Sequence, residues 1–202
     1  RQASQVALLG EKDIEYGLKV SARAKSLIEN FILCKTGGTI DDLELFCFDN
    51  NTEYKVVNTY YDVLEYEAPY LVDSYFKYIE LDEKDPYKRF YFPRKHVLKK
   101  VINAYQKVYD GKLDFLSVSQ PKRTGKTTSG LILAQMMGGR EPDGSIFAVG
   151  KGEGLVKRFY GGLLQSFETE RRYERFIKVF PEAVKIGEKD YKSAENLHFF
   201  LL

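Results

Sequence analysis

The residue types and spacing best suited to chemistry in this 202-residue chain lie in Ser119-Gln120-Pro121-Lys122-Arg123-Thr124-Gly125-Lys126-Thr127-Thr128, and centre on Gly125-Lys126-Thr127. A loop that opens a helix presents backbone N–H groups with no partner in the helix, and the positive end of the helix dipole adds to their attraction for a polyphosphate. Lys126 is spaced to reach the β- and γ-phosphates as a point charge, Thr127 to offer its hydroxyl to Mg²⁺, and Gly125 to let the backbone come close. The pattern departs from G-x-x-x-x-G-K-[ST] at one position, where Gln120 replaces the first glycine. Lys122 and Arg123 bring two further cations, which suits a triphosphate better than a monophosphate. Arg123 stands where a guanidinium can fold back on a γ-phosphate, sensing it or stabilising charge in phosphoryl transfer; a solvated arginine beside an acidic neighbour is the plainer alternative. Lys126 and Arg123 are therefore the candidate catalytic residues and Thr127 the candidate metal ligand. Gln120, Pro121, Lys122, Thr124, Gly125, Lys126, Thr127 and Thr128 are the candidate contacts for a nucleoside triphosphate.

The elements that must position this loop are a strand before it and a helix after it. Leu113 to Val118 is a short, partly alternating apolar run that predicts a buried strand. Leu131, Ile132, Leu133, Met136 and Met137 predict a helix closed by Gly138-Gly139. A second strand is predicted over Ser145 to Gly150 and a helix over Leu155 to Phe167, with later strands at Ala183 to Ile186 and Leu197 to Leu202. Strands separated by helices imply a parallel sheet with right-handed crossovers. The expected fold class is therefore α/β, a P-loop NTPase parallel sheet flanked by helices, with a mainly helical N-terminal appendage. Apolar spacing predicts helices over Glu11 to Lys35, ended by Gly37-Gly38, over the tyrosine-rich Asn58 to Leu81 despite Pro69, and from Pro93 to Asp110-Gly111. The tyrosine stripe could stack bases, but packing is the ordinary role of aromatic residues at helical spacing.

Net charge is +2, yet it conceals a division. Residues 41–85 hold 13 acidic and 3 basic residues, and residues 86–202 hold 22 basic and 12 acidic. We place a boundary near Asp85-Pro86, with 1–85 an acidic helical appendage or lid and 86–202 the nucleotide-binding core. The basic portion is the candidate for an anionic partner, unless the two portions simply neutralise each other. Cys34 and Cys47 lack a CxxC partner, and His96 and His198 are the only histidines, so spacing assembles no zinc site and no Cys-His nucleophile. Two buried reduced thiols are expected. Asp41, Asp42 and Glu44 could suggest a divalent-metal cluster, although Thr39 and Asp41 also read as helix N-caps. No apolar run approaches the ~20 residues of a membrane span. Arg1 in first place, with no apolar leader after it, leads us to expect a fragment or processed product located in the cytoplasm.

Four segments together resemble the large terminase subunit of tailed bacteriophages, the ATP-driven motor that packages DNA into a preformed capsid. They are Lys88 to Lys99, Tyr109 to Leu116, Gln120 to Thr128 and Phe159 to Leu164. In that family the phosphate loop commonly lacks the first glycine and carries an arginine, as Gln120 and Arg123 do here. The resemblance implies an ATPase domain using ATP and Mg²⁺, with Gly125, Lys126 and Thr127 as phosphate and Mg²⁺ residues and Arg123 as the loop arginine. It also implies that Tyr91-Phe92-Pro93-Arg94 is the adenine-recognition segment, adding Arg94 to the nucleotide contacts; packing alone would equally occupy Tyr91 and Phe92. The implied partners are double-stranded DNA, a portal protein and a small terminase subunit, with the chains in a homo-oligomeric ring in the cytoplasm of the infected host.

The sequence departs from a complete family member after Lys126. No hydrophobic strand ending in Asp-Glu follows, and Asp190 and Glu195 stand isolated, so the chain is expected to stop before the catalytic carboxylates and the nuclease domain. Lys151, Lys157, Arg158, Arg171, Arg172 and Arg175 could supply phosphate contacts independent of base sequence, or, for those near Arg171, form a solvated helical face. Two rivals share the loop: another P-loop enzyme, such as a helicase-like ATPase or small-molecule kinase, and a non-catalytic virion or scaffold module with a vestigial phosphate loop.

Overall fold

The computed structural model describes residues 11–36, 54–81, 83, 89–142, 144–147, 149–150, 153–168 and 170–185. Cys47, the Asp41-Asp42-Glu44 cluster and the strand expected at Leu197 to Leu202 lie outside them. Cys34 falls within the first helix, but its side chain is outside the described set.

The described elements are helices. They are α1 (Glu11–Thr36), α2 (Tyr54–Glu67), α3 (Val72–Tyr78), α4 (Lys95–Tyr109), α5 (Lys126–Arg140), α6 (Glu153–Glu168) and α7 (Glu170–Val179), with 3₁₀ turns at Phe92–Arg94 and Pro181–Lys185. The chain divides into two compact units, residues 1–99 and 100–202, and α4 runs through the boundary. No helix among the described residues is long and apolar enough to cross a membrane.

This corrects the expected α/β architecture: the described residues contain no β-strand, and hence no parallel sheet. Leu113 to Val118 and the described part of Ser145 to Gly150 are non-helical segments without a strand partner, while Ala183 to Lys185 close a 3₁₀ turn. Several of the apolar side chains that suggested buried strands face solvent, with Phe115 79%, Phe147 66% and Val149 73% exposed, while Leu113, Leu116 and Val118 are half-buried. A strand satisfies its backbone only through a neighbour and gains its packing from cross-strand pairs, so a strand-like composition alone cannot make one. A helix closes its hydrogen bonds within itself, and the predicted helices are accordingly present.

In the first unit, Pro69 splits the tyrosine-rich run. The turn at 68–70 separates α2 from α3, with Leu71 extended at φ −117° as the cap of α3. Tyr60, Leu64, Val72, Tyr75 and Phe76 form the core, and α1 packs on α2 through Gly17. A Cβ there would fall on the Tyr66 hydroxyl, so glycine lets the tyrosine lie directly against α1. The tyrosines are thus packing residues, as helical spacing suggested.

The core of the first unit also holds charge. Glu67, fully buried, accepts hydrogen bonds from Ser21 (2.8 Å), Ser74 (2.5 Å) and the Lys25 ammonium. Buried Lys77 pairs with Asp73 at 2.7 Å and Glu29 at 3.5 Å, and Tyr91 donates to Asp73. Burial would push the Asp73 carboxyl up, but the Lys77 ammonium, the hydrogen bonds from Lys77 and Tyr91, and nearby Lys95 together hold it below the usual carboxylate range. Glu80 gathers three backbone N–H groups, from Phe90 (3.1 Å), Tyr91 (2.6 Å) and Phe92 (3.3 Å), and so shapes the entry into α4.

In the second unit, α4 ends in a Schellman turn. Lys112 N–H reaches Lys107 O at 2.8 Å and Gly111 N–H reaches Val108 O at 3.0 Å, with Gly111 left-handed at φ 67°. Helix α5 does not stop at Gly138-Gly139 as predicted but runs on to Arg140. Gly139 is there for space, because a Cβ on it would fall 2.4 Å from the Phe180 ring and 3.0 Å from Phe176. Arg140 then donates to the Tyr109 carbonyl oxygen at 2.7 Å and lies 4.8 Å from the centre of its ring, tying the end of α5 to the end of α4.

Candidate functional site

The loop from Ser119 to Gly125 connects the extended segment to α5. Thr124 folds it back on itself, donating to Pro121 O at 2.9 Å and to the Gln120 side-chain oxygen at 3.4 Å. Such a short turn forces unusual backbone angles. Arg123 has φ 66°, and among the described residues other than glycine it is alone in the left-handed region. Gly125, the N-cap of α5, follows at φ 98° and ψ 15°. Left-handed residues within a tight turn direct successive N–H groups toward a common point, the concave arrangement that receives anions.

The helix start adds to this. Gly125 can make no side-chain cap, and the first intrahelical bond runs from Ser129 N–H to Gly125 O at 2.8 Å. The N–H groups of Lys126, Thr127 and Thr128 therefore lie ahead of the helical ladder and are available to a ligand at the positive end of the α5 dipole. Lys126 is half-buried, and its ammonium reaches back over the loop to donate to the Gln120 carbonyl oxygen. Lys122 and Arg123 are exposed beside it, as are Pro121, Thr127 and Thr128, while Gln120, Thr124 and Gly125 are half-buried. One turn of chain thus gathers three cations and a row of N–H donors.

Ser129 anchors this turn from beneath. It has no exposed surface, donates to Lys126 O at 2.9 Å and lies 3.2 Å from the Tyr105 hydroxyl on α4. Neither Ser129 nor Tyr105 was among the sequence candidates. The available signal was a serine in the first turn of a helix, where its hydroxyl can bond a carbonyl three residues back.

Arg94 is placed differently from the rest. It belongs to the first unit, donates to Phe90 O at 3.0 Å and lies 5.5 Å from the centre of the Phe90 ring. Tyr91 and Phe92 are core side chains, 1% and 5% exposed, and Tyr91 meets Phe76 edge-on at 5.4 Å. Burial and the Asp73 carboxylate together drive the Tyr91 phenol far above its ordinary value, so it stays a neutral donor.

Of the basic candidates in the second unit, Lys157 and Arg158 are exposed on α6 and Arg175 is buried on α7. Lys151 and the side chains of Arg171 and Arg172 lie outside the described residues. No group of three or more His, Cys, Asp or Glu side chains able to hold a metal occurs among the described residues. No family model, curated protein or solved structure matches the chain.

Proposed function

We propose that Gln120 to Thr128 hold the polyphosphate of ATP-Mg²⁺, and that the chain is the ATP-binding part of a viral motor that drives double-stranded DNA into a procapsid. The observation that carries the nucleotide reading is the pair of left-handed residues, Arg123 and Gly125, placed directly ahead of an uncapped helix start with Lys126 folded over the turn. This reading needs only a loop and a helix terminus, so it does not depend on a sheet. The backbone N–H groups of Lys126 to Thr128 would bind phosphate oxygens, and Lys126 and Arg123 would neutralise charge on the outer phosphates. Thr127, an exposed residue, would offer its hydroxyl to Mg²⁺. ATP-Mg²⁺ supplies the phosphoanhydride bond whose hydrolysis would drive translocation. The motor reading rests on the four segments that resemble large terminase subunits, and it brings with it a portal protein, a small terminase subunit and a homo-oligomeric ring as partners. Exposed Lys157 and Arg158 are the side chains best placed for DNA phosphates.

A second reading, a non-catalytic virion or scaffold module, is favoured by the exposure of Phe115, Phe147 and Val149 in the segments flanking α5, which are not packed beneath the loop. Titration calorimetry with ATP-Mg²⁺ separates the two. Saturable binding that Lys126→Ala weakens at least tenfold supports the nucleotide site. Heat that is absent, or unchanged by the substitution, rejects it.

A further inference from the structure

We infer that Tyr105 and Ser129 are positioning residues for the phosphate loop, a buried hydroxyl pair that fixes the first turn of α5 and so aims its N–H groups. The inference rests on the nucleotide reading above. Ser129 connects three parts of the site at once. Its N–H closes on Gly125, the left-handed cap; its hydroxyl closes on the carbonyl of Lys126, whose ammonium spans the loop; and the same hydroxyl oxygen meets Tyr105. The single Ser129 proton is committed to the Lys126 carbonyl, so Tyr105 is the donor in the 3.2 Å contact and Ser129 the acceptor.

The pair makes little sense as helix chemistry alone. Alanine is the better helix former, and a serine bonding back to its own turn slightly disfavours the helix. A buried hydroxyl also costs free energy unless it is satisfied. What the two hydroxyls gain is an attachment at the least supported place on a helix, a first turn whose own N–H groups are unpaired. Because α4 carries Tyr105 in its buried face, 5% exposed, the attachment runs from the interior to the loop without touching the ligand. A binding turn that rotates by a fraction of an ångström loses alignment with several phosphate oxygens together.

The test uses the full chain, with inorganic tripolyphosphate and ATP-Mg²⁺ as probes, and the variants Tyr105→Phe, Ser129→Ala and the double variant. Each single change removes one hydroxyl and retains the surrounding shape. Each is expected to weaken tripolyphosphate binding by about 3- to 10-fold, the factor a lost neutral hydrogen bond carries, and the double variant no further than Ser129→Ala, which already removes both of the bonds that the Ser129 hydroxyl makes. In the unliganded protein, amide exchange at Ser129 and Gly130 should quicken while the later turns of α5 keep their protection. Unchanged binding in both variants, with wild type binding normally, overturns the positioning role and leaves the nucleotide site standing. Additive losses overturn it too, as does exchange that quickens along all of α5, since either indicates general loosening. Wild-type protein that binds neither probe overturns the nucleotide reading itself, and the inference with it.

Discussion

The Lys126 ammonium donates to the carbonyl oxygen of Gln120, six residues earlier, and so closes the loop over its own backbone. That bond uses one of the three N–H groups of the ammonium and leaves two for a phosphate entering the loop. With Lys122 and Arg123 exposed on the same turn, the attraction is in part long-range and open to screening. Tripolyphosphate affinity should therefore fall steadily as salt is raised from about 0.05 to 0.3 M, a range over which the Debye length shrinks about 2.4-fold. Lys122→Gln should flatten that dependence; a slope unchanged by Lys122→Gln would show that this side chain takes no part.

Arg123 holds a backbone conformation that side-chain-bearing residues adopt at a cost of about 1–2 kcal/mol. Arg123→Gly removes the strain together with the guanidinium. We expect a melting temperature equal to or above wild type and a clearly weaker affinity for ATP-Mg²⁺, a separation that marks the strain as serving the ligand. A variant that melts lower, or binds as well, contradicts this.

Two glycines in neighbouring helices of the second unit should respond to alanine in opposite directions. Gly139→Ala drives a methyl into the Phe180 and Phe176 rings and should cost about 1–3 kcal/mol by overpacking. Gly161 on α6 has nothing within 4 Å of a Cβ position, so Gly161→Ala should stabilise by up to about 1 kcal/mol through helix propensity. Urea unfolding of the two variants provides the comparison.

The pH response of the first unit follows from Asp73. Its folded-state pKa is depressed, so its contribution to stability is present above the unfolded value of about 3.9 and is lost as pH falls through the lower folded value. Protection of α3 amides should decline as pH falls below the ordinary carboxylate range, and Asp73→Asn should lower stability near neutrality while shallowing the acid decline. An equally steep decline in the variant would assign the effect to other carboxylates.

The helices were legible because 3.6-residue periodicity and punctuation by glycine and proline are local signals. Glu11–Thr36 and Lys95–Tyr109 stand close to where spacing put them, whereas a single helix across Asn58 to Leu81 despite Pro69 is corrected by the turn at 68–70. The strands were misread because Leu113 to Val118 has the composition of a strand but not the neighbour, and a neighbour is a tertiary fact. The place of the candidate loop was legible, since Gly125-Lys126-Thr127 stands at the start of α5 as the spacing predicts. The left-handed angle at Arg123 and the support from Tyr105 were not, because each depends on how the turn closes against residues distant in sequence. The Glu67 cluster was invisible for the same reason. Only the Asp73–Lys77 spacing of four offered a hint of the buried ion pairs.

Glu80 completes a contrast within the chain. Its buried carboxylate already occupies the N–H groups of Phe90, Tyr91 and Phe92, so the first unit carries an anion tethered by a covalent bond. A tethered anion has no concentration and cannot be washed out, and burial shelters it from added salt. The backbone at 90–92 should accordingly be indifferent to dialysis and ionic strength. The donors at Lys126 to Thr128 would take an anion from solution, and their occupancy would then report on the ligand outside.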